Sequence, residues 1–122
     1  MTKMLTFRPD GIIEERLING EIEDEVLCEV LGGDIEEVPY LSQFESLDIA
    51  FRQNERAKLL TLEPTIRVVR DGKLVDVLCG NIVVVGTDEE AYIGLQNFQE
   101  DYIHENIRTA TIAVPTPFLI IV

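Results

Sequence analysis

The sequence of 122 residues contains no tryptophan, one histidine and two cysteines. A structural zinc site needs about four ligands, and a Cys–His catalytic pair needs a histidine beside a thiol. The small number of histidines and cysteines therefore disfavours both kinds of site. No apolar run approaches the length of about 18 residues that spans a membrane, and residues 1–4 do not begin a secretory signal. We therefore expect a soluble, cytoplasmic protein with no membrane, metal or cofactor, in which Cys28 and Cys79 are free thiols.

Basic residues are also scarce. The chain has 10 lysines and arginines against 23 aspartates and glutamates, which gives a net charge of −13. Residues 1–48 hold 13 acidic and 3 basic side chains, whereas residues 49–70 hold 2 acidic and 5 basic ones. A field of this sign repels phosphate backbones and attracts basic protein surfaces, so we expect no direct nucleic acid binding. The alternative interpretation is that the acidity only keeps the protein soluble.

The sequence contains no catalytic motif that we can identify. The only histidine, His104, lies beside Glu105 at a helical position, where a solvated surface histidine is the simplest interpretation. Ser42 and Ser46 lack the pattern of a nucleophile elbow, and no glycine-rich loop with a phosphate-binding lysine precedes a helix. We therefore predict that the protein is not an enzyme and has no catalytic residues.

Periodicity and turn residues predict an α+β fold in a single domain. Pro9-Asp10-Gly11 and Asp71-Gly72 are typical of hairpin turns. Apolar spacing predicts one helix that starts near Asn19-Gly20 and ends at Gly32-Gly33, and a second near 96–107. Residues 42–46 are predicted as a loop, and 87–95 as either a helix start or a short strand. Other apolar runs predict strands near 3–7, 12–16, 34–40, 47–52, 66–69, 74–78 and 82–85.

These elements predict one mainly antiparallel sheet covered by two helices. The run 82–85 has no polar alternation, so we expect a central strand that is covered on both faces. Residues 1–108 form the predicted domain, and 109–122 form an apolar tail. Because residues 118–122 would aggregate if exposed, we predict that the tail is a paired strand or an oligomer contact that makes a homodimer.

Three ordered segments resemble a known family. They are the helix end Gly32-Gly33 followed by Ile35-Glu36 and Val38; the block Asn54-Glu55, Lys58-Leu59-Leu60, Leu62 and Pro64; and the block Asp76-Val77, Gly80 and Val84-Val85-Gly86. Over residues 4–107 this set is similar to the domain of unknown function 3846. Ala57 stands where the family has glycine, and Glu63-Pro64-Thr65-Ile66 replaces a double-proline step. The resemblance implies a small intracellular protein of phages, plasmids and integrated elements, without an established activity or catalytic residues.

Two binding hypotheses follow from the charge pattern. In the first, an acidic surface occupies the basic groove of a host or defence protein; its candidate residues are Glu21, Glu25, Glu29, Glu36 and Glu37. In the alternative, a basic cluster holds a small anionic ligand such as a nucleotide; its candidate residues are Arg52, Asn54, Arg56, Lys58 and Arg67. A structural or assembly role is the third possibility. The second hypothesis requires its five side chains to line one concavity.

Overall fold

A computed structural model describes residues 2–39, 41–110 and 118–121, which form eleven strands and three helices. The strands are β1 (Thr2–Phe7), β2 (Ile13–Ile18), β3 (Glu21–Ile22), β4 (Ile35–Glu37), β5 (Ile49–Asn54), β6 (Pro64–Arg70), β7 (Lys73–Cys79), β8 (Ile82–Asp88), β9 (Ala91–Ile93), β10 (Ile107–Ala110) and β11 (Phe118–Ile121). The helices are α1 (Asp24–Leu31), α2 (Ser42–Glu45) and α3 (Asn97–Asn106).

The larger sheet has seven strands and is antiparallel throughout. Its main path is β2-β1-β8-β5-β4, and β9 pairs with both β8 and β3. Residues 82–85 of β8 lie at its centre and are completely buried. The prediction of a central strand covered on both faces is therefore confirmed.

A second sheet of four strands has the order β10-β11-β6-β7. Strand β11 runs parallel to β6, and the other pairs in this sheet are antiparallel. The predicted α+β class and mainly antiparallel pairing are thus confirmed, but the single sheet with two helices is corrected to two sheets with three helices. Strand periodicity does not show which strands pair, and β6, β7 and β11 form no ladder with the larger sheet.

The two faces of the larger sheet are buried in different ways. On one face, Leu27 and Leu31 of α1 pack with Ala50, Val83 and Val85. On the other face, the second sheet, α2 and α3 share one core with the larger sheet. This core includes the buried side chains Leu5, Phe7, Phe44, Phe51, Ile66, Val68, Leu78, Val84 and Ile103. Helix α1 is thus separated from α2 and α3 by the larger sheet.

Both predicted hairpins are present. The Pro9-Asp10-Gly11 turn joins β1 to β2, and the Asp71-Gly72 turn joins β6 to β7. Asp71 has φ 52° and Gly72 has φ 76°, the left-handed pair that a tight hairpin turn of the primed type requires. The backbone conformation of these two residues explains why an aspartate–glycine pair occupies this turn.

The helices differ from the predictions in two places. Helix α3 agrees with the predicted second helix, and α1 ends as predicted at Gly32, which has φ 74°. However, α1 begins at Asp24, because Glu21 and Ile22 are extended and pair with β9. Helix α2 was predicted as a loop, and the segment after β8 adopts the strand alternative as β9.

The predicted tail is described only in part. Strand β11 pairs with β10 on one edge and with β6 on the other, so both of its edges are occupied within the chain. Residues 111–117 and 122 of the tail, and Tyr40 of the predicted strand 34–40, lie outside the described residues. Among the described residues, no helix is both long enough and apolar enough to cross a membrane.

Candidate functional site

A cleft at the start of α1 gathers five carboxylates. Glu21 comes from β3, Glu23 to Glu25 from the start of α1, and Glu90 from the turn between β8 and β9. Ile22, Ala91 and Tyr92 complete the lining of a space of about 360 Å³. We call this the acidic cleft.

Local pairing explains how these residues meet. Glu21 pairs with Ile93 and Ile22 pairs with Tyr92, so the chain before α1 lies against β9 and the turn that precedes it. The helix then begins directly after Glu23, with Asp24 and Glu25 in its first turn. Asp24 and Glu25 are stabilised by the positive end of the helix dipole.

The carboxylates of the acidic cleft form no ion pair with any described residue, whereas several basic side chains are paired elsewhere. Lys3 pairs with Glu15 and Glu100, at 3.4 and 3.7 Å. Arg8 pairs with Asp10 and Glu14, at 2.8 and 2.7 Å. Lys58 lies 2.7 Å from Asp76. The negative field of the acidic cleft is therefore not neutralised by these bases.

The five predicted partner-binding acids are exposed but lie in different places. Glu21 and Glu25 line the acidic cleft, and Glu29 lies one turn further along α1. The predicted stripe over 21–29 is not one helical stripe, since α1 begins only at Asp24. In β4, Glu36 and Glu37 point to opposite faces of the sheet because neighbouring strand residues alternate.

Arg52 of the predicted anion-binding set makes contacts within the protein. Its Nε donates to the hydroxyl of Tyr92 at 3.0 Å, and its Nη1 donates to the carbonyl of Phe51 at 3.0 Å. The guanidinium lies 5.4 Å from the centre of the Tyr92 ring, and Nη2 lies 3.6 Å from Glu37. Only 12% of the Arg52 side chain is exposed. These contacts link β5 to β9 and β4, which is a structural role.

Asn54 is also bound within the protein. The buried side chain donates from Nδ2 to the carbonyl of Leu31, at 3.1 Å, and its Oδ1 accepts the backbone N–H of Arg56, at 2.8 Å. Its amide therefore satisfies a carbonyl at the end of α1 and fixes the turn after β5. Neither contact leaves the amide directed at a ligand.

The five residues of the anion-binding hypothesis do not meet in one cleft. A second cleft of about 220 Å³ contains Asn54 and Lys58, together with the acids Glu36, Glu55 and Asp76. Neither Arg52 nor Arg56 lines this cleft, and Arg67 belongs to β6 of the other sheet. The requirement of a single concavity is thus not met by the described geometry.

Three residues of the acidic cleft were not predicted from the sequence: Glu23, Asp24 and Glu90. The first two were visible as acids near a helix start, but the start itself was placed too early. Glu90 was visible only as part of an acidic run after β8. Its position beside Glu21 depends on the pairing of β9 with β3, which no local pattern reveals.

Cys79 lies near Lys58 and Asp76, which affect how readily its thiol forms the nucleophilic thiolate. Burial raises the pKa of the Cys79 thiol; the Lys58 cation opposes this rise and Asp76 adds to it. The hydrogen bond to Asp76 in turn raises the pKa of Lys58. Among the described residues, no group of histidine, cysteine or carboxylate side chains is placed to hold a metal ion.

The Cys79 environment gives a prediction about thiol reactivity. The Lys58→Met change removes the cation that favours the thiolate, so the pKa rises further and the thiolate fraction near neutral pH falls. We expect slower alkylation of Cys79 by iodoacetamide, measured by mass spectrometry of the peptide that contains it. Lys73→Met is the control and should leave the rate unchanged. Faster alkylation in the Lys58 variant would contradict the assigned cause.

The sequence model of the family described as Domain of unknown function (DUF3846) matches residues 1–108. No curated protein and no solved structure matches the chain. The match covers both sides of the acidic cleft and most of the two sheets. The chain therefore belongs to the family described as Domain of unknown function (DUF3846).

Proposed function

We propose that this protein is a non-enzymatic binding protein whose acidic cleft docks onto a basic surface of another protein. The observation that supports the proposal is the grouping of five carboxylates from three chain segments, without an ion pair to any described residue. Basic surfaces that hold nucleic acid are the most complementary class of partner, because they present many cations to a negatively charged ligand.

The surroundings of the acidic cleft extend the same charge. Glu29 is exposed on α1, and Glu37 keeps 79% of its side chain exposed although it pairs with Arg52. Both lie on the side of the larger sheet that α1 covers. Glu37 is paired with Arg52, and Arg52 contacts Tyr92, which packs against the buried residues beneath α1. Glu36 points to the other side and is left out of the proposed surface.

We also propose a source, a partner and a cellular location for this protein. A phage or other mobile element as the source, and a host or defence protein as the partner, are supported only by the family resemblance described above. A cytoplasmic location is supported by Cys28 and Cys79, which are both free cysteines in the structure. We regard inhibition of the partner as the expected consequence where the acidic cleft occupies a groove for nucleic acid.

The proposal predicts capture of a basic protein through the acidic cleft. Immobilised protein is incubated with bacterial lysate at about 50 and about 300 mM NaCl, since screening weakens exposed ion pairs. The cleft variant combines Glu21→Gln, Glu25→Gln and Glu90→Gln. The matched control combines Glu45→Gln, Asp101→Asn and Glu105→Gln, three exposed acids on α2 and α3 that change the net charge equally.

We expect the wild type and the control variant to capture the same nucleic-acid-handling protein at low salt, and the cleft variant to lose it. Equal loss in both variants would show that only the total charge matters. Capture that persists at high salt would contradict an electrostatic contact.

A further inference from the structure

Among the described residues, strand β2 forms one edge of the larger sheet and pairs only with β1. Its first five residues, Ile13 to Leu17, are all exposed. Two of these are large apolar side chains: Ile13 is 36% exposed and Leu17 is 63% exposed. Both faces of this strand therefore extend beyond the elements that cover the rest of the sheet.

The hydrogen-bond register shows which backbone groups of β2 point outward. The N–H of Arg8 donates to the carbonyl of Ile12, and Lys3 exchanges both of its backbone hydrogen bonds with Leu95, on the side of β1 away from β2. The backbone N–H and carbonyl groups of the even-numbered residues of β1 therefore point toward β2. Their hydrogen-bonding partners in β2 are also even-numbered residues. The N–H and carbonyl groups of Ile13, Glu15 and Leu17 consequently point away from the sheet.

The other edges in the described part of the chain are shorter or irregular. Strand β10 has four residues, β4 has three and β3 has two. Strand β7 has a register shift opposite Val68 and Val69, which breaks the regular row of edge groups. Strand β2 is six residues long and has no register shift against β1. It is thus the longest regular edge among these, and such an edge is a template for another strand.

We propose that β2 pairs with β2 of a second copy of this chain, antiparallel and around a two-fold axis at Glu15. Outward-pointing residues must then face one another, which pairs Ile13 with Leu17 twice and Glu15 with Glu15. The same register places Glu14 opposite Arg16 twice, in the closely spaced non-hydrogen-bonded positions. The strand is therefore complementary to itself in both apolar contact and charge.

The local ion pairs leave room for this register, because Glu14 is paired with Arg8 of its own chain through one carboxylate oxygen only, at 2.7 Å. Arg16 forms no ion pair with a described residue, so it is available to the Glu14 of the second copy. The two Glu15 side chains meet at the axis, but each lies 3.4 Å from Lys3 of its own chain, which reduces their repulsion. This contact is separate from the acidic cleft, so the proposed function does not depend on it.

The test is the molar mass of the full chain by sedimentation equilibrium at about 0.15 M NaCl, where the Debye length of about 8 Å screens the net charges. At about 100 µM, a concentration suited to a weak interface, we expect the wild type to approach twice its mass of 13.8 kDa. Leu17→Lys should give the monomer mass. Leu74→Lys, on the exposed part of β7, is the matched control and should remain dimeric.

A charge exchange tests the register itself. Glu14→Arg alone, and Arg16→Glu alone, place like charges opposite one another and should each weaken the dimer by at least about tenfold, which corresponds to about 1.4 kcal/mol. The double variant Glu14→Arg/Arg16→Glu restores opposite charges and should restore the dimer. Circular dichroism serves as the control that each variant is folded. A monomeric wild type, a dimer that survives Leu17→Lys, or a double variant without rescue would overturn the proposal.

Discussion

Replacement of Phe44 by alanine is expected to lower the free energy of unfolding by about 3–5 kcal/mol, the usual cost of removing a buried aromatic ring. The side chain is fully buried in the core between the two sheets. Its ring lies edge-to-face against Phe51, at 4.8 Å, and against Tyr102, at 5.3 Å. Because these contacts join α2 to β5 and α3, the change leaves a cavity where three elements meet.

Urea denaturation followed by circular dichroism measures this effect. Phe98→Ala is the matched control, since Phe98 is 56% exposed at the start of α3. It should change the free energy of unfolding by less than about 1 kcal/mol. If both variants were equally stable, the core position of α2 would be wrong.

Replacement of Asn54 by alanine is expected to lower the free energy of unfolding by about 2–3 kcal/mol. Two hydrogen bonds are lost, and the carbonyl of Leu31 and the N–H of Arg56 lose their partner. A buried polar group without a partner costs about 1–3 kcal/mol. The side chain also fills the space beside Gly33, where the amide nitrogen would lie 2.9 Å from an added Cβ.

Asn97→Ala provides the comparison, because Asn97 is exposed at the start of α3. We expect a change of less than about 0.5 kcal/mol in the same denaturation experiment. A fully stable Asn54 variant would contradict the structural role that we assign to this residue. It would also return Asn54 to the set of possible ligand-binding residues.

Features determined by short-range sequence were predicted well. The Asp71-Gly72 turn, the end of α1 at Gly32 and the position of α3 each depend on residues within one or two turns of chain. The buried run 82–85 was identified because it has no polar residue. In all four cases the residue types within the segment explain the structure that it adopts.

Features that depend on distant contacts were not predicted. Ile22 is extended rather than helical because it pairs with Tyr92, which is seventy positions later. Helix α2 has four residues, which are too few for a periodic pattern, and it is stabilised by packing of Phe44 in the core. The division into two sheets depends on strand partners that a single sequence does not reveal.

The candidate site also combines residues that the sequence indicates with residues that only distant strand pairing brings together. The sequence predicted a partner-binding acidic surface, and two of its residues, Glu21 and Glu25, are exposed and line the acidic cleft. Their role in binding stays a prediction. The addition of Glu90 required the pairing of β3 with β9. The anion-binding set was based on residue type and strand alternation alone, and the structure commits Arg52 and Asn54 to internal contacts.

The most direct measurement of the central claim is the affinity of the captured partner for three proteins: the wild type, the cleft variant and the matched control variant. Isothermal titration at about 50 to about 300 mM NaCl gives each dissociation constant. We expect the cleft variant to bind at least about tenfold more weakly at low salt, the control to remain within about twofold, and the wild-type affinity to fall steeply with salt. Equal affinity of the two variants, or a wild-type affinity that does not change with salt, would contradict recognition through the acidic cleft.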